Sequence, residues 1–199
     1  MQEKRLQKNI PAKEPIKFKA GILQSRRPAL SANDQERFND MLIDAAAEGR
    51  NAEIKWLIRA GADIAAKDSE GRTALHKAAI NGCTQACHIL IDECAKSGGD
   101  MKALITARTN NSKTALHAAA LKGSAEICSL LLEEFAKAGG NRIGLIAAKD
   151  SFGWTAMYWA ARLGYAQAAQ FITESLAIAL VGKENGELFV SLFSECLAA

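Results

Sequence analysis

Residues 73–82 read TALHKAAING, and the stretch returns. Residues 114–123 read TALHAAALKG, 41 positions later, and residues 155–164 read TAMYWAARLG, 41 later again. A degenerate copy at residues 40–49, DMLIDAAAEG, precedes the first by 33. Self-similarity at such a period predicts a solenoid. Each unit is too small to hold its own core and buries its apolar side against its neighbours.

The second unit gives the local logic. Asp68-Ser69-Glu70-Gly71 reads as a turn, with the glycine in the unusual backbone region. Thr73 caps the helix that follows, and Leu75 points inward. Ala78-Ala79 are small because helices approach closely there, and Gly82 ends the helix. A second helix over 84–96 places Ala86, Cys87, Leu90 and Cys94 at helical spacing. The third unit repeats this with Leu116, Ala119-Ala120 and Gly123, then Ile127, Cys128, Leu131 and Phe135.

Thr-Ala-Leu-His-x-Ala-Ala followed by Gly resembles the ankyrin-repeat family, whose signature is a Thr-Pro-Leu-His turn entering a helical hairpin. The resemblance covers residues 33–180. It implies an all-α solenoid of about four helix-turn-helix repeats, at 33–67, 68–108, 109–149 and 150–181, that binds another protein. It further implies that Thr73 and His76 bond one another and the adjacent turn. Two features depart from the family pattern. The proline expected after Thr is Ala74, Ala115 and Ala156, a change of small cost because proline there only pre-sets the first helical turn. The period of 41 exceeds the usual 33 by eight residues, which fall after the second helix, at Gly98-Gly99 and Gly139-Gly140. The first repeat is also atypical, with Asp40-Met41-Leu42-Ile43 at the motif, as expected of a terminal unit whose outer face meets water. Its second helix, 52–59, closes on Ala60-Gly61-Ala62-Asp63.

The flanks differ from the array. Residues 1–33 hold eight Lys/Arg and two Asp/Glu, so the remaining chain, with 17 and 20, is mildly acidic. All three prolines lie in residues 1–32, which read as a basic, mostly disordered tail. Its apolar positions Ile16, Phe18, Ile22 and Leu23 leave room for a short segment that folds on a partner or packs back on the array. Residues 182–186 break the pattern, and a helix over 187–198 with Leu188, Phe189, Leu192 and Phe193 on one side is expected to cap the last repeat. No apolar run approaches the roughly 20 residues needed to span a bilayer. Five cysteines, mostly at core-like positions, point to a reducing, cytoplasmic compartment, with nuclear import or host-cell delivery as alternatives.

Nothing in the motifs points to catalysis, and no cofactor or small-molecule substrate is expected. His76 and His117 occupy the structural motif. Cys83, Cys87 and His88 with Cys94 fall short of a tetrahedral metal set: Cys87 and Cys94 lie on the core stripe, and Ser124 and Ser129 replace Cys83 and His88 one repeat on. Nucleic-acid binding is not expected of the mildly acidic array. In the family, partners are held by turn tips and by the concave face of the first helices. The matching positions are Ser69, Glu70, Arg72, Ile80 and Asn81; Asn110, Asn111, Lys113, Leu121 and Lys122; and Ser151, Phe152, Trp154, Arg162 and Leu163. The last set differs in kind, because Phe152 and Trp154 flank Gly153 where other tips are polar, and Tyr158-Trp159 follow. Those aromatics serve either a partner or the packing of the C-terminal segment. The reading is a non-catalytic protein-binding scaffold or adaptor. The alternatives are a regulatory or inhibitory subunit of an enzyme complex, and a secreted effector of an intracellular bacterium that binds host proteins.

Overall fold

A computed structural model of the chain describes residues 32–181; the N-terminal tail and the C-terminal helix expected from the sequence lie outside the described residues. Ten helices and no strands make up this region. Four form an inner row: α1 (Ala32–Glu48), α3 (Ala74–Asn81), α6 (Ala115–Lys122) and α9 (Ala156–Arg162). Four form an outer row: α2 (Asn51–Ala60), α4 (Thr84–Lys96), α7 (Ala125–Lys137) and α10 (Ala166–Val181). Each inner helix packs on the next, α1 on α3, α3 on α6 and α6 on α9, and each pairs with its own outer helix. The described region is an all-α solenoid.

Alanine sets the inner spacing. Ala45, Ala46, Ala78, Ala79, Ala119, Ala120 and Ala160 are all fully buried, so neighbouring helices approach nearly to backbone contact. Larger aliphatics fill the space between rows: Leu57, Leu75, Leu90, Leu116, Leu131 and Ile172 are inaccessible to water. Burying each such side chain stabilises the fold by roughly 1.5–3 kcal/mol.

The motif histidines bind the repeats together. Thr73 and His76 form a capping box at the start of α3, and Thr114 and His117 do so at α6. His76 Nε2 lies 3.2 Å from the Lys113 carbonyl, and His117 Nε2 lies 3.2 Å from that of Trp154. A carbonyl only accepts, so Nε2 carries the proton and Nδ1 accepts from the Thr backbone N–H. Each histidine thus caps its own helix and clamps the next repeat's turn. Burial holds the His76 pKa down to about 4 and lowers that of His117.

The turns form a second ladder with the same 41-residue step. Asn110 N–H donates to the Glu70 carbonyl, and Ser151 N–H donates to that of Asn111. Lys67 Nζ donates to the Arg108 carbonyl, and Arg108 donates to that of Lys149. At the tips, Gly71 (φ 73°), Ser112 (φ 58°) and Gly153 (φ 79°) all take the left-handed conformation, Ser112 being the one described non-glycine residue to do so.

The eight extra residues fold. They lengthen α4 and α7 and then enter short helices, α5 (Met101–Thr106) and α8 (Arg142–Ile146), capped by Asp100 and Asn141. Helix α5 rests on α7 of the following repeat, and α8 rests on α10. Leu104, Ile105, Leu145 and Ile146 are buried there, so the extension is a repeated packing element.

Candidate functional site

The turn tips and the inner helices share one side of the solenoid, and the sequence-selected positions distribute along it unequally. In the second repeat the polar groups are committed internally. Asp68 Oδ1 accepts from the N–H groups of Glu70 and Arg72, and Oδ2 accepts from Arg72 Nε at 2.8 Å. Arg72 also reaches Glu70 at 2.6 Å, and Lys77 Nζ lies 3.7 Å from Asp68 Oδ2. Asp68 titrates below the usual range: burial raises its pKa, but these donors outweigh it. Ser69 accepts from the Asn110 amide, and Asn81 donates to the Ala47 carbonyl at 2.7 Å. These residues knit tips together before any partner arrives. Ile80 is exposed on the helix face beyond them.

In the third repeat Asn110, Asn111 and Lys122 are exposed, while Lys113 and Leu121 are half-buried. Among the described residues Lys113 pairs with no acid. Its Nζ sits 4.7 Å from the ring centre of Trp159, in the fourth repeat.

The fourth repeat replaces this ionic arrangement with aromatic rings. Trp154 occupies the place of Arg72, and Trp159 that of Lys77. Asp150, the counterpart of Asp68, keeps its role: Oδ1 accepts from the N–H groups of Phe152 and Trp154, and Oδ2 accepts from Trp159 Nε1 at 2.9 Å. Its carboxyl is likewise held low, burial being outweighed by the Trp159 indole and the two backbone donors. One indole N–H therefore does what two cations do in the second repeat. Trp154 is packed within 4.9 Å of Tyr158 and 4.8 Å of Trp159, centre to centre, with Phe152 at 5.4 Å. The Arg162 guanidinium lies 4.8 Å from the Trp154 ring centre. Phe152 is 63% exposed, Leu163 45% and Tyr158 43%, and Ser151 is exposed beside them.

Sequence reasoning picked out Phe152, Trp154, Arg162 and Leu163, and the structure brings Phe152, Trp154 and Arg162 into one cluster, with exposed Leu163 following Arg162. It missed Asp150 as the anchor. The signal was available: Asp150 stands 82 residues after Asp68, and the tryptophans replace the two basic residues around that acid. Tyr158 and Trp159 belong to the same cluster, although the selected positions did not include them.

The histidines and cysteines show no catalytic arrangement among the described residues. His76 and His117 are consumed by capping. Cys87 and Cys128 are buried, and burial pushes both thiols up to about 12. Cys83 donates to the Ala47 carbonyl, while His88 is exposed. Among the described residues no group of three His, Cys, Asp or Glu is arranged to hold a metal ion. No helix of the described residues is long and apolar enough to cross a membrane.

Comparison with known proteins agrees with this architecture. Protein phosphatase 1 regulatory subunit 12A from Mus musculus is 50% identical over 48 residues, as is that from Rattus norvegicus. The matched stretch covers 24% of this chain and 5% of the length of each relative. The family model for ankyrin repeats (three copies) matches residues 42–134 and 94–181, and so takes in most of the chain. With the helical hairpins, Thr–His caps and turn ladder described above, the chain belongs to the ankyrin-repeat family.

Proposed function

We propose that this protein is a non-catalytic scaffold or adaptor that holds a partner protein along the turn tips and inner-helix face, anchored on the fourth-repeat tip. The observation that carries this reading is the cluster of Phe152, Trp154, Tyr158 and Trp159 with Arg162 and Lys113 on its rings. Turn geometry does not require it, since the second repeat builds the same tip from charged groups. Aromatic and Arg side chains dominate interface hot spots, and rings already ordered by one another lose little freedom on binding. Ile80, Leu121, Lys122, Asn110 and Asn111 extend the surface toward the middle repeats. The unpaired thiols of Cys83, Cys87, Cys94 and Cys128 support a reducing, cytoplasmic setting.

The short match to a phosphatase regulatory subunit favours a second reading, in which the partner is the catalytic chain of an enzyme that this protein regulates.

Affinity capture with crosslinking, run with wild type and Trp154→Arg, tests both. Partners that crosslink to the fourth-repeat tip and are lost with Trp154→Arg are expected. Partners retained by the variant would move the site to the middle repeats, and failure of both proteins to capture any partner would overturn the scaffold reading. An enzyme among tip-bound partners would select the regulatory version.

A further inference from the structure

The first repeat is eight residues shorter than the next two, and the shortfall leaves a cleft. Its connection lacks counterparts of residues 94–101, and Asp63 stands where the short helices α5 and α8 carry Leu104 and Leu145. The third and fourth repeats have α5 and α8 resting on their outer helices, but no such helix from the first repeat covers α4. In its place is an open cleft of about 630 Å³, lined by Ile58, Ala62 and Asp63 on one wall and by Cys94, Asp100 and Leu104 on the other.

The counterparts of α8 in the first repeat, residues 61–64, form no helix, and the tail carries a match to that helix. Lys19-Ala20-Gly21-Ile22-Leu23 follows the same order as α8, Arg142-Ile143-Gly144-Leu145-Ile146: basic, aliphatic, glycine, then two large aliphatics. Phe18 stands in place of the capping Asn141 and adds apolar surface. The chain also enters the solenoid at the right end. In the first turns of α1, Gln35 Nε2 donates to the Gly61 carbonyl and Asn39 Oδ1 accepts from Asp63 N–H, both at 2.8 Å, on the rim of the cleft. Residues 24–31 between the matched segment and α1 span up to roughly 26 Å when extended, ample for a site beside α1. Charge agrees as well. Asp63 and Asp100 face the cleft, the Lys67 ammonium is engaged by the Arg108 carbonyl, and residues 17–27 carry Lys17, Lys19, Arg26 and Arg27 with no acid.

We propose that the cleft is the docking site for residues 19–23 of the same chain, which supply to α4 the helix-like cover that α5 and α8 supply to α7 and α10. Ile22 and Leu23 fill the apolar space, and the flanking basic residues meet Asp63 and Asp100.

Disulfide trapping on the full chain tests this directly. With Ile22→Cys and Ala103→Cys, mild oxidation should join the tail within one chain to position 103 or to the neighbouring Cys94, at least tenfold faster than with Gln7→Cys and Ala103→Cys. Equal rates, as random encounters of a free tail would give, overturn the proposal, and so does a product found only between two chains. As a second measurement, Ala103→Cys alone should react with a maleimide at least fivefold faster when Ile22 and Leu23 are both changed to Asp. An unchanged rate in a protein of wild-type helicity also overturns it.

Discussion

Acid should unfold this protein through its motif histidines before its carboxylates are protonated. His76 is 2% exposed, accepts from Thr73 through Nδ1 and donates to Lys113 through Nε2. A second proton on Nδ1 would break the bond it accepts from the Thr73 backbone N–H and would place a charge in the core. Burial accordingly lowers its pKa from 6.5 to about 4. The unfolded chain therefore binds the proton first, so the stability from neutral His76 is complete above pH 6.5 and is lost as pH falls from there toward 4. At pH 5 the loss relative to pH 8 is about 2 kcal/mol from His76 alone. His117 adds in the same direction. Asp68 and Asp150 also have lowered pKa values, but their contribution is lost only below the ordinary carboxylate range, so the two windows separate. The assay is urea unfolding from pH 8 to 5, in wild type and in the His76→Gln/His117→Gln protein, beside an NMR titration of the imidazoles. A steep loss in wild type and a flat profile in the variant are expected. An imidazole at position 76 titrating near 6.5, or equal slopes in both proteins, would refute the clamp. The NMR readout decides even if the variant does not fold.

Other outcomes follow from particular contacts. Ser112→Gly removes a left-handed conformation that costs a non-glycine residue about 1 kcal/mol, partly offset by the freedom of glycine in the unfolded chain; a net gain of about 0.5 kcal/mol should appear in urea unfolding. Gly123→Ala should cost more than about 2 kcal/mol in the same assay, since φ is 76° and a methyl there would meet the Tyr165 ring at 2.5 Å. Cys87 and Cys128, with thiols pushed up to about 12, should resist alkylation at pH 8 until urea unfolds the chain, as peptide mass mapping would show. Truncation after residue 186 should cause self-association detectable by light scattering. Met157, Leu180 and Val181 are exposed at the end of the described array, where the sequence leads us to expect a cap over 187–198.

The repeat was legible because its signal is redundant. Thr-x-Leu-His and the Ala pairs recur in register, and each residue's role follows from its neighbours. Leu75, Leu116, His76 and His117 are buried as that logic requires. The fourth repeat breaks it visibly: Met157, Tyr158 and Ala161 stand at the same positions and are exposed, because among the described residues no further repeat follows to lie over them. The extensions were legible as an insertion but not as helices. Six and five residues are too few for periodicity to speak, and what folds α5 and α8 is an Asx cap plus contact with the next repeat. The site was half-legible for a related reason. An aromatic pair around a turn glycine is visible in a sequence, whereas the carboxylate that ties a distant indole to that turn appears only when repeats are superimposed.

That carboxylate decides how the fourth-repeat tip should be tested. Trp154→Ala is the obvious substitution, yet it mixes two effects. Trp154 is half-buried against Tyr158 and Trp159 and under Arg162, so its removal loosens the whole cluster as well as any partner contact. The second repeat shows a substitution that separates them. There Arg72 occupies the same position and bonds to Asp68 at 2.8 Å, while its backbone N–H keeps the same turn. Asp150 offers the same carboxylate to residue 154, so Trp154→Arg rebuilds the ionic tip with the acid still satisfied. Its melting temperature should stay within about 3 °C of wild type, near what a 1 kcal/mol change produces in an array of this size. Partner affinity should nevertheless fall by roughly thirtyfold, the loss of about 2 kcal/mol expected for a tryptophan anchor. Lys122→Ala, on the same surface but outside the aromatic cluster, should change affinity less than threefold. If Trp154→Arg instead melts more than 10 °C early and binds normally, the rings are there to brace the last repeat, and the anchor must be sought around Ile80 and Leu121.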